Sequence, residues 1–157
     1  MHPGHAIAMI ALLQRVASAH VEVAGHVVGR IGHGLLLFVC AEPADTDTDS
    51  VADRLVAKVL KLRVFADAAG RMNRSLADAQ GGLLVVSQFT LAADTSAGNR
   101  PSFTAAAAPA LAEALCARVL ATARAAHPQV EAGVFGADMQ VHLVNDGPVT
   151  IPLTLRG

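Results

Sequence analysis

The chain has no tryptophan and no tyrosine, so phenylalanine supplies all of its benzenoid rings. Phe38, Phe65, Phe89, Phe103 and Phe135 are therefore the few candidates for stacking against a nucleobase. An excess of either charge is also missing: 12 Lys and Arg face 13 Asp and Glu, a net charge of −1. Proteins that grip a long stretch of nucleic acid draw affinity from neutralising phosphates. Composition alone does not suggest that mode, and a contact confined to one end of a strand, with few phosphates, is compatible with it. Two cysteines, Cys40 and Cys116, are too few for a disulfide framework. Both lie in apolar runs and read as buried free thiols in a reducing compartment. Hydrophobic residues make up 53% of the chain, yet no apolar run approaches the ~20 residues of a membrane span. No membrane partner is expected. Met1 to Ala8 lack the charged start and long apolar stretch of a signal peptide. These features together point to the cytoplasm.

The remaining pattern fits one domain of 157 residues with a sizeable core. Met9 to Val16 has strand character. Val21 and Val23 alternate with polar neighbours, Gly25-His26 turns the chain, and Val27 to Ile31 returns, which is a hairpin signal. Leu35 to Cys40 is a continuous apolar run, as in a strand buried on both faces. Val51, Leu55, Val59 and Leu62 recur at helical spacing. Asp45, Asp47 and Asp49 precede them, and Lys58, Lys61 and Arg63 follow, as the helix dipole favours. Val64-Phe65 reads as a short strand, Arg71 to Gly82 as a loop, Leu83 to Val86 as a buried strand, and Ala92 to Ser102 as a polar loop. Pro109 opens a second helix with Leu111, Leu115, Val119 and Ala123 on one face, closed by His127-Pro128. Val141 to Val144 and Val149 to Leu155 are the last strands, and Pro152 puts the final one at an edge or bulge. The fold class expected is α/β, a single compact domain with mixed β-sheets and two main helices.

Familiar catalytic signatures are absent: no Gly-x-Ser-x-Gly elbow, no HExxH, no Cys-x-x-Cys and no P-loop. The seven histidines show no metal-ligand spacing and read as surface or capping residues, so neither a metal nor another cofactor is expected. No carboxylate is obviously placed to orient His142, which leaves a Ser-His-Asp triad unsupported. Two polar runs border apolar strands instead. Ser87-Gln88-Phe89-Thr90 offers hydroxyl, amide and backbone donors at a strand end. Asn145-Asp146-Gly147-Pro148 reads, by itself, as a turn between two strands.

These runs belong to a longer series. In order, Leu13-Gln14-Arg15-Val16, Gly70-Arg71-Met72-Asn73, Ser87-Gln88-Phe89-Thr90, Arg100-Pro101-Ser102-Phe103, Phe135-Gly136-Ala137-Asp138-Met139 and Val144-Asn145-Asp146-Gly147-Pro148-Val149-Thr150 resemble stretches of the D-aminoacyl-tRNA deacylases. The resemblance spans Met9 to the C-terminus, so residues 9–157 are read as the deacylase domain and 1–8 as a mobile extension. It implies a homodimer with a barrel-like core and hydrolysis of the ester between a D-amino acid, or glycine, and the tRNA 3′ end. It also implies site residues. Ser87, Gln88 and Thr90 would serve the chemistry, with Thr90 either nucleophile or positioning group. Phe135 and Met139 would line the pocket for the terminal adenine, and Phe89 would either join that pocket or pack beneath it. Gly147 and Pro148, joined by a cis peptide bond, would enter the partner subunit's site and present two backbone carbonyls to the substrate ammonium, and Arg15 would support that loop. Such a backbone wall would exclude an L side chain. The loop before Arg100 carries fewer basic residues than in relatives, which leaves Arg71, Arg74 and Arg100 as candidates for phosphate contact. A related deacylase of altered chiral preference, and a noncatalytic RNA-end-binding protein, are the alternatives on the same motifs.

Overall fold

A computed structural model of the chain describes residues 7–43 and 48–157. Met1 to Ala6 of the expected extension, and Asp45 and Asp47 of the helix-start cluster, lie outside the described residues. The described chain runs β1 (Ile7–Val23), β2 (His26–Ile31), β3 (Gly34–Ala41), α1 (Thr48–Lys61), β4 (Phe65–Ala66), β5 (Met72–Arg74), α2 (Leu76–Ala79), β6 (Gly82–Ser87), a 3₁₀ turn (Phe89–Ala92), α3 (Pro109–Ala126), β7 (Val130–Ala132) and β8 (Met139–Arg156). The mixed α/β reading stands. One six-stranded sheet carries the order β2-β1-β3-β6-β7, with β8 on the other side of β1, and β4-β5 form a separate pair.

The expected hairpin forms with Val23 opposite His26. Its two linking residues, Ala24 and Gly25, both take positive φ, 50° and 79°. That conformation matches the twist of the flanking strands. β3 and β6 run parallel, as do β6 and β7, while β1 is antiparallel to its neighbours. Parallel strands covered on both faces read as unbroken apolar runs. β3 shows why: Leu35, Leu37 and Val39 join a core cluster with α1 and α3, whereas Leu36 joins a second cluster on the other side. β1 serves both cores, through Met9, Ala11 and Leu13 first and Val16, Ala19 and Val21 afterwards. Its pairing with β8 shifts register between Gln14 and Ser18, and such bulges bend a strand. The sheet curls until β2 meets β7. A Cβ on Gly29 would stand 2.5 Å from the Ala132 carbonyl oxygen, so only glycine permits this near closure.

Four elements differ from the expectation. The first strand segment and the start of the hairpin are one strand that begins at Ile7, with Ala8 buried. The two final strands are likewise one, β8. β7 joins the sheet as a three-residue strand. The Arg71–Gly82 loop holds β5 and α2, and α2 is closed by a capping box in which Ser75 accepts from the Asp78 N–H and Asp78 accepts from the Ser75 N–H. The Ser-x-x-Asp spacing was its signal. Nearby, His33 and the buried His127 each donate Nε2–H to a backbone carbonyl, of Ala79 at 2.9 Å and of Gly81 at 2.7 Å. His127 is thus a cap, as expected, but an interior one. Asp53 of α1 accepts from Arg118 at 2.9 and 3.0 Å and from Thr122 at 2.6 Å, which locks α1 to α3. Among the described residues, no helix is long and apolar enough to cross a membrane.

Candidate active site

A cavity sits where ligands collect in sheets of this kind, beyond the carboxyl ends of parallel strands. β3 ends there with Val39, Cys40 and Ala41, and β6 with Val86 and Ser87. The Phe135–Asp138 turn that follows β7 supplies a third wall. α3 lines the back with Ala112, Leu115 and Cys116. The cavity holds about 550 Å³. Burial raises the pKa of both Cys40 and Cys116, so these free thiols stay protonated and act as apolar lining.

Five expected site residues meet in this cavity: Ser87, Gln88, Phe89, Phe135 and Met139. Gln88 N–H donates to Val39 O at 2.8 Å, so the parallel pairing of β3 and β6 extends one residue past the strand and fixes the rim. Phe89 then starts the 3₁₀ turn. It is 58% exposed and meets Phe103 edge-on, with centroids 5.1 Å apart. Phe103 completes an aromatic lip from a distant loop; the sequence marked it as one of five rings able to stack and as part of the resembling Arg100–Phe103 run. Met139 also packs on the second core, so it is both lining and core. Thr90 is exposed just beyond the lining, and its hydroxyl accepts a hydrogen bond from the Gln88 amide.

Arg15, Gly147 and Pro148 lie elsewhere on the same chain and do not line the cavity. The peptide bond between Gly147 and Pro148 is cis. The segments on either side of it belong to one strand, both paired with β1, so the run is not the expected turn between two separate strands. Thr150 stands opposite Gln14 and Asn145 opposite Val16, which leaves Asp146 to Val149 to loop out across from Arg15 alone. Asn145 closes the excursion: its amide accepts from the Val149 N–H at 3.2 Å and donates to Thr150 at 2.9 Å. Arg15 braces it from below. The guanidinium donates to Val64 O at 2.7 Å and to Asp146 O at 3.2 Å, and meets the Asp146 carboxylate at 3.4 Å. Gly147 has φ +125°, and a Cβ there would come within 2.9 Å of Arg15 Nη2. The tip of the excursion stays exposed.

A third grouping corrects the reading of the histidines. His20 and His142 face each other across β1 and β8, with rings stacked 4.3 Å apart. Glu22 lies 3.3 Å from His20 Nε2 and 3.6 Å from His142 Nε2. The carboxylate that His142 lacked in the sequence is therefore present, brought by pairing rather than by spacing. It is not a triad, because no serine or cysteine joins it in the recorded contacts among the described residues.

Fold and site together define a single-domain α/β protein with an apolar ligand cavity rimmed by uncharged donors. The family model described as D-Tyr-tRNA(Tyr) deacylase matches residues 12–154, and the chain belongs to that family. Two relatives called D-aminoacyl-tRNA deacylase are similar to it. The Aromatoleum aromaticum protein is 65% identical over 147 residues, covering 94% of this chain and 95% of that protein. The Methylibium petroleiphilum protein is 66% identical over 147 residues, with the same 94% and 95% covered. Among solved structures, one titled c-Myc DNA Unwinding Element Binding Protein aligns with a TM-score of 0.85 at 39% identity, over 92% of this chain and 97% of its own. Another, titled as a probable eukaryotic D-amino acid tRNA deacylase, aligns with a TM-score of 0.83, over 95% of this chain and 100% of its own. At 19% identity it speaks for the fold alone.

Proposed function

We propose that the protein hydrolyses the ester joining a D-amino acid, or glycine, to the 3′ end of tRNA, as a chiral proofreading enzyme of the cytoplasm. The observation that carries this reading is the cavity, which gathers Ser87, Gln88, Phe89, Phe135 and Met139 at the strand ends of a chain with D-aminoacyl-tRNA deacylase relatives. Its apolar walls suit a terminal adenine, with Phe89, Phe135 and Met139 as the contacts. A contact with only the 3′ end needs little positive charge, which agrees with a net charge of −1. Arg71, Arg74 and Arg100 supply the phosphate contacts.

The chemistry asks little of the protein, because an aminoacyl ester is already activated. The first N–H groups of a helical turn have no partner within the turn. Those of Phe89 and Thr90 therefore supply the oxyanion site, and the substrate's 2′-hydroxyl assists the attack of water. Thr90 positions and does not attack. Its recorded partner is the Gln88 amide, which donates and cannot take a proton. A nucleophilic hydroxyl needs a base beside it. With its oxygen occupied by Gln88, the Thr90 O–H is left to donate to the substrate.

Chirality is read by the Gly147–Pro148 backbone of a second copy. Within one chain this loop stands apart from the cavity and points outward, which suits delivery into a partner. Among the described residues β8 is paired on one side only, and an unpaired strand edge is a surface for association. Carbonyls at Gly147 and Pro148 accept the α-ammonium and leave room for hydrogen, not for an L side chain. Glycine has no side chain to exclude. The test is ester release from D-, L- and glycyl-tRNA measured side by side. Release of D and glycine with L spared supports the reading. Equal release of L points to a deacylase of altered preference, and binding without release points to an RNA-end-binding protein.

A further inference from the structure

We infer that His20, Glu22 and His142 form a binding site for a single divalent first-row cation, with Zn²⁺ as its natural probe. This site lies outside the cavity and owes nothing to the deacylase chemistry. Ala19 and Val21 of β1, with Leu143 and Val141 of β8, point into the second core. Strand side chains alternate between faces. His20, Glu22 and His142 therefore share the opposite, outer face of the β1–β8 ladder. Their ligand atoms lie within 4.8 Å of one another.

The geometry is closer to a ligand set than to an ordinary cross-strand pair. His20 and His142 are directly opposed in register, so two paired backbones hold them. Their rings are stacked at an interplanar angle of 8°, and both Nε2 atoms approach the same carboxylate. The Nε2-to-carboxylate separations are 3.3 and 3.6 Å. Bonds of 2.0–2.1 Å in a tetrahedron put neighbouring ligand atoms about 3.4 Å apart. The cation replaces the Nε2–H···carboxylate contacts: each imidazole turns a bare Nε2 inward and keeps its proton on Nδ1. Two imidazoles and a carboxylate suit zinc, cobalt or nickel over calcium or magnesium, which prefer oxygen donors. A groove lined by Ser18, His20, His142 and Val144 runs beside the two imidazoles.

Such an ion would tie β8 to β1 on the stretch of β8 that precedes Asn145 and the Gly147 excursion. β8 has no other strand partner among the described residues, so a cross-strand clamp there would hold the base of the excursion. The role is structural, and its readout is independent of hydrolysis.

The experiment uses the full chain, stripped with a chelator and titrated with Zn²⁺ alone against a competing chromophoric chelator, with a melting curve at each step. One ion per chain and a rise in melting temperature are expected. His142→Ala and Glu22→Gln should each weaken binding tenfold or more and abolish the rise. Both alter outward-facing side chains, and their metal-free melting curves check that they fold. Undiminished binding in both folded variants would overturn the site. So would zinc uptake abolished by replacing Cys40 and Cys116 with serine, or no uptake at all.

Discussion

The Ser87–Thr90 run and the Asn145–Pro148 run are both polar interruptions of apolar strands, yet the fold treats them in opposite ways. The first is pinned at the carboxyl ends of parallel strands, half inside a cavity, with Gln88 still bonded to β3. The second leaves the ladder in mid-strand, held by Asn145 and braced by one arginine, with its tip in solvent. A site that must hold its ligand is built on sheet ends, because strands there share their rigidity. A segment proposed to reach a second copy is built as an excursion, because an excursion leaves the surface of its own sheet. The contrast accounts for two families of motif in a chain this small.

Breaking the second run should have the largest effect. Gly147→Ala places a methyl 2.9 Å from Arg15 Nη2 at a φ of +125°, where side chains are strained. The tip must move, and displacement of a positioning element by about 1 Å costs on the order of 10²-fold in rate. D-aminoacyl-tRNA hydrolysis should fall by that much while the chain still unfolds cooperatively, its melting temperature lowered only modestly by the strain. The same variant tests where the loop acts. Mixed and re-equilibrated with Ala137→Trp, which blocks the cavity mouth, it should regain activity that neither variant has alone. No recovery would place both runs in one subunit's site.

Removing the brace should come next. Arg15→Ala deletes the bonds to Val64 O and Asp146 O, leaving the excursion tethered by Asn145. A loss of about tenfold or more in kcat/KM is expected, roughly 1.4 kcal/mol per tenfold. Lysine should rescue poorly, since a point charge cannot span both carbonyls as the guanidinium does. Full rescue by lysine would mean that charge alone holds the loop.

Altering the first run at its exposed end should cost less than moving the loop. Thr90→Ala should lower kcat by on the order of tenfold, and removing the substrate's 2′-hydroxyl should hurt more. A loss of about 10³-fold, or an ester trapped on Thr90, would make it the nucleophile.

The smallest effect concerns neither run and serves as a control for both. Hydrogen bonds from Arg118 and then Thr122 lower the Asp53 carboxyl to about 2 from 3.8. A depressed pKa adds stability above the unfolded value that is lost as pH falls through the folded one. The urea midpoint of Asp53→Asn should therefore sit slightly below that of the wild chain at pH 7. The gap should close between about pH 4 and pH 2. A gap that persists at pH 2 would mean that packing, not charge, joins α1 to α3. Activity should be untouched at neutral pH.

Much of this was legible locally. Helical spacing at Val51, Leu55 and Val59 and a Pro-opened run to Ala123 placed both long helices, because an amphipathic helix repeats its pattern within a few residues. The unbroken run Leu35 to Cys40 announced a strand covered on both faces. The order of short motifs carried the family, and from it come the roles proposed for Ser87, Gln88, Thr90, Gly147 and Pro148. What the sequence could not contain was pairing. Whether Val21 continues the strand of Met9, whether Val149 continues that of Val144, and which residue faces Arg15 all depend on register between segments far apart in the chain. The same long-range register brought Phe103 to Phe89, Glu22 to His142, and Cys40 to the wall beside Cys116. It also separated the Gly147 loop from the cavity that its own chain builds. Local side-chain pattern determines elements because their hydrogen bonds and faces repeat nearby. Only the folded sheet decides sites, because backbone pairing, not sequence distance, sets which side chains meet.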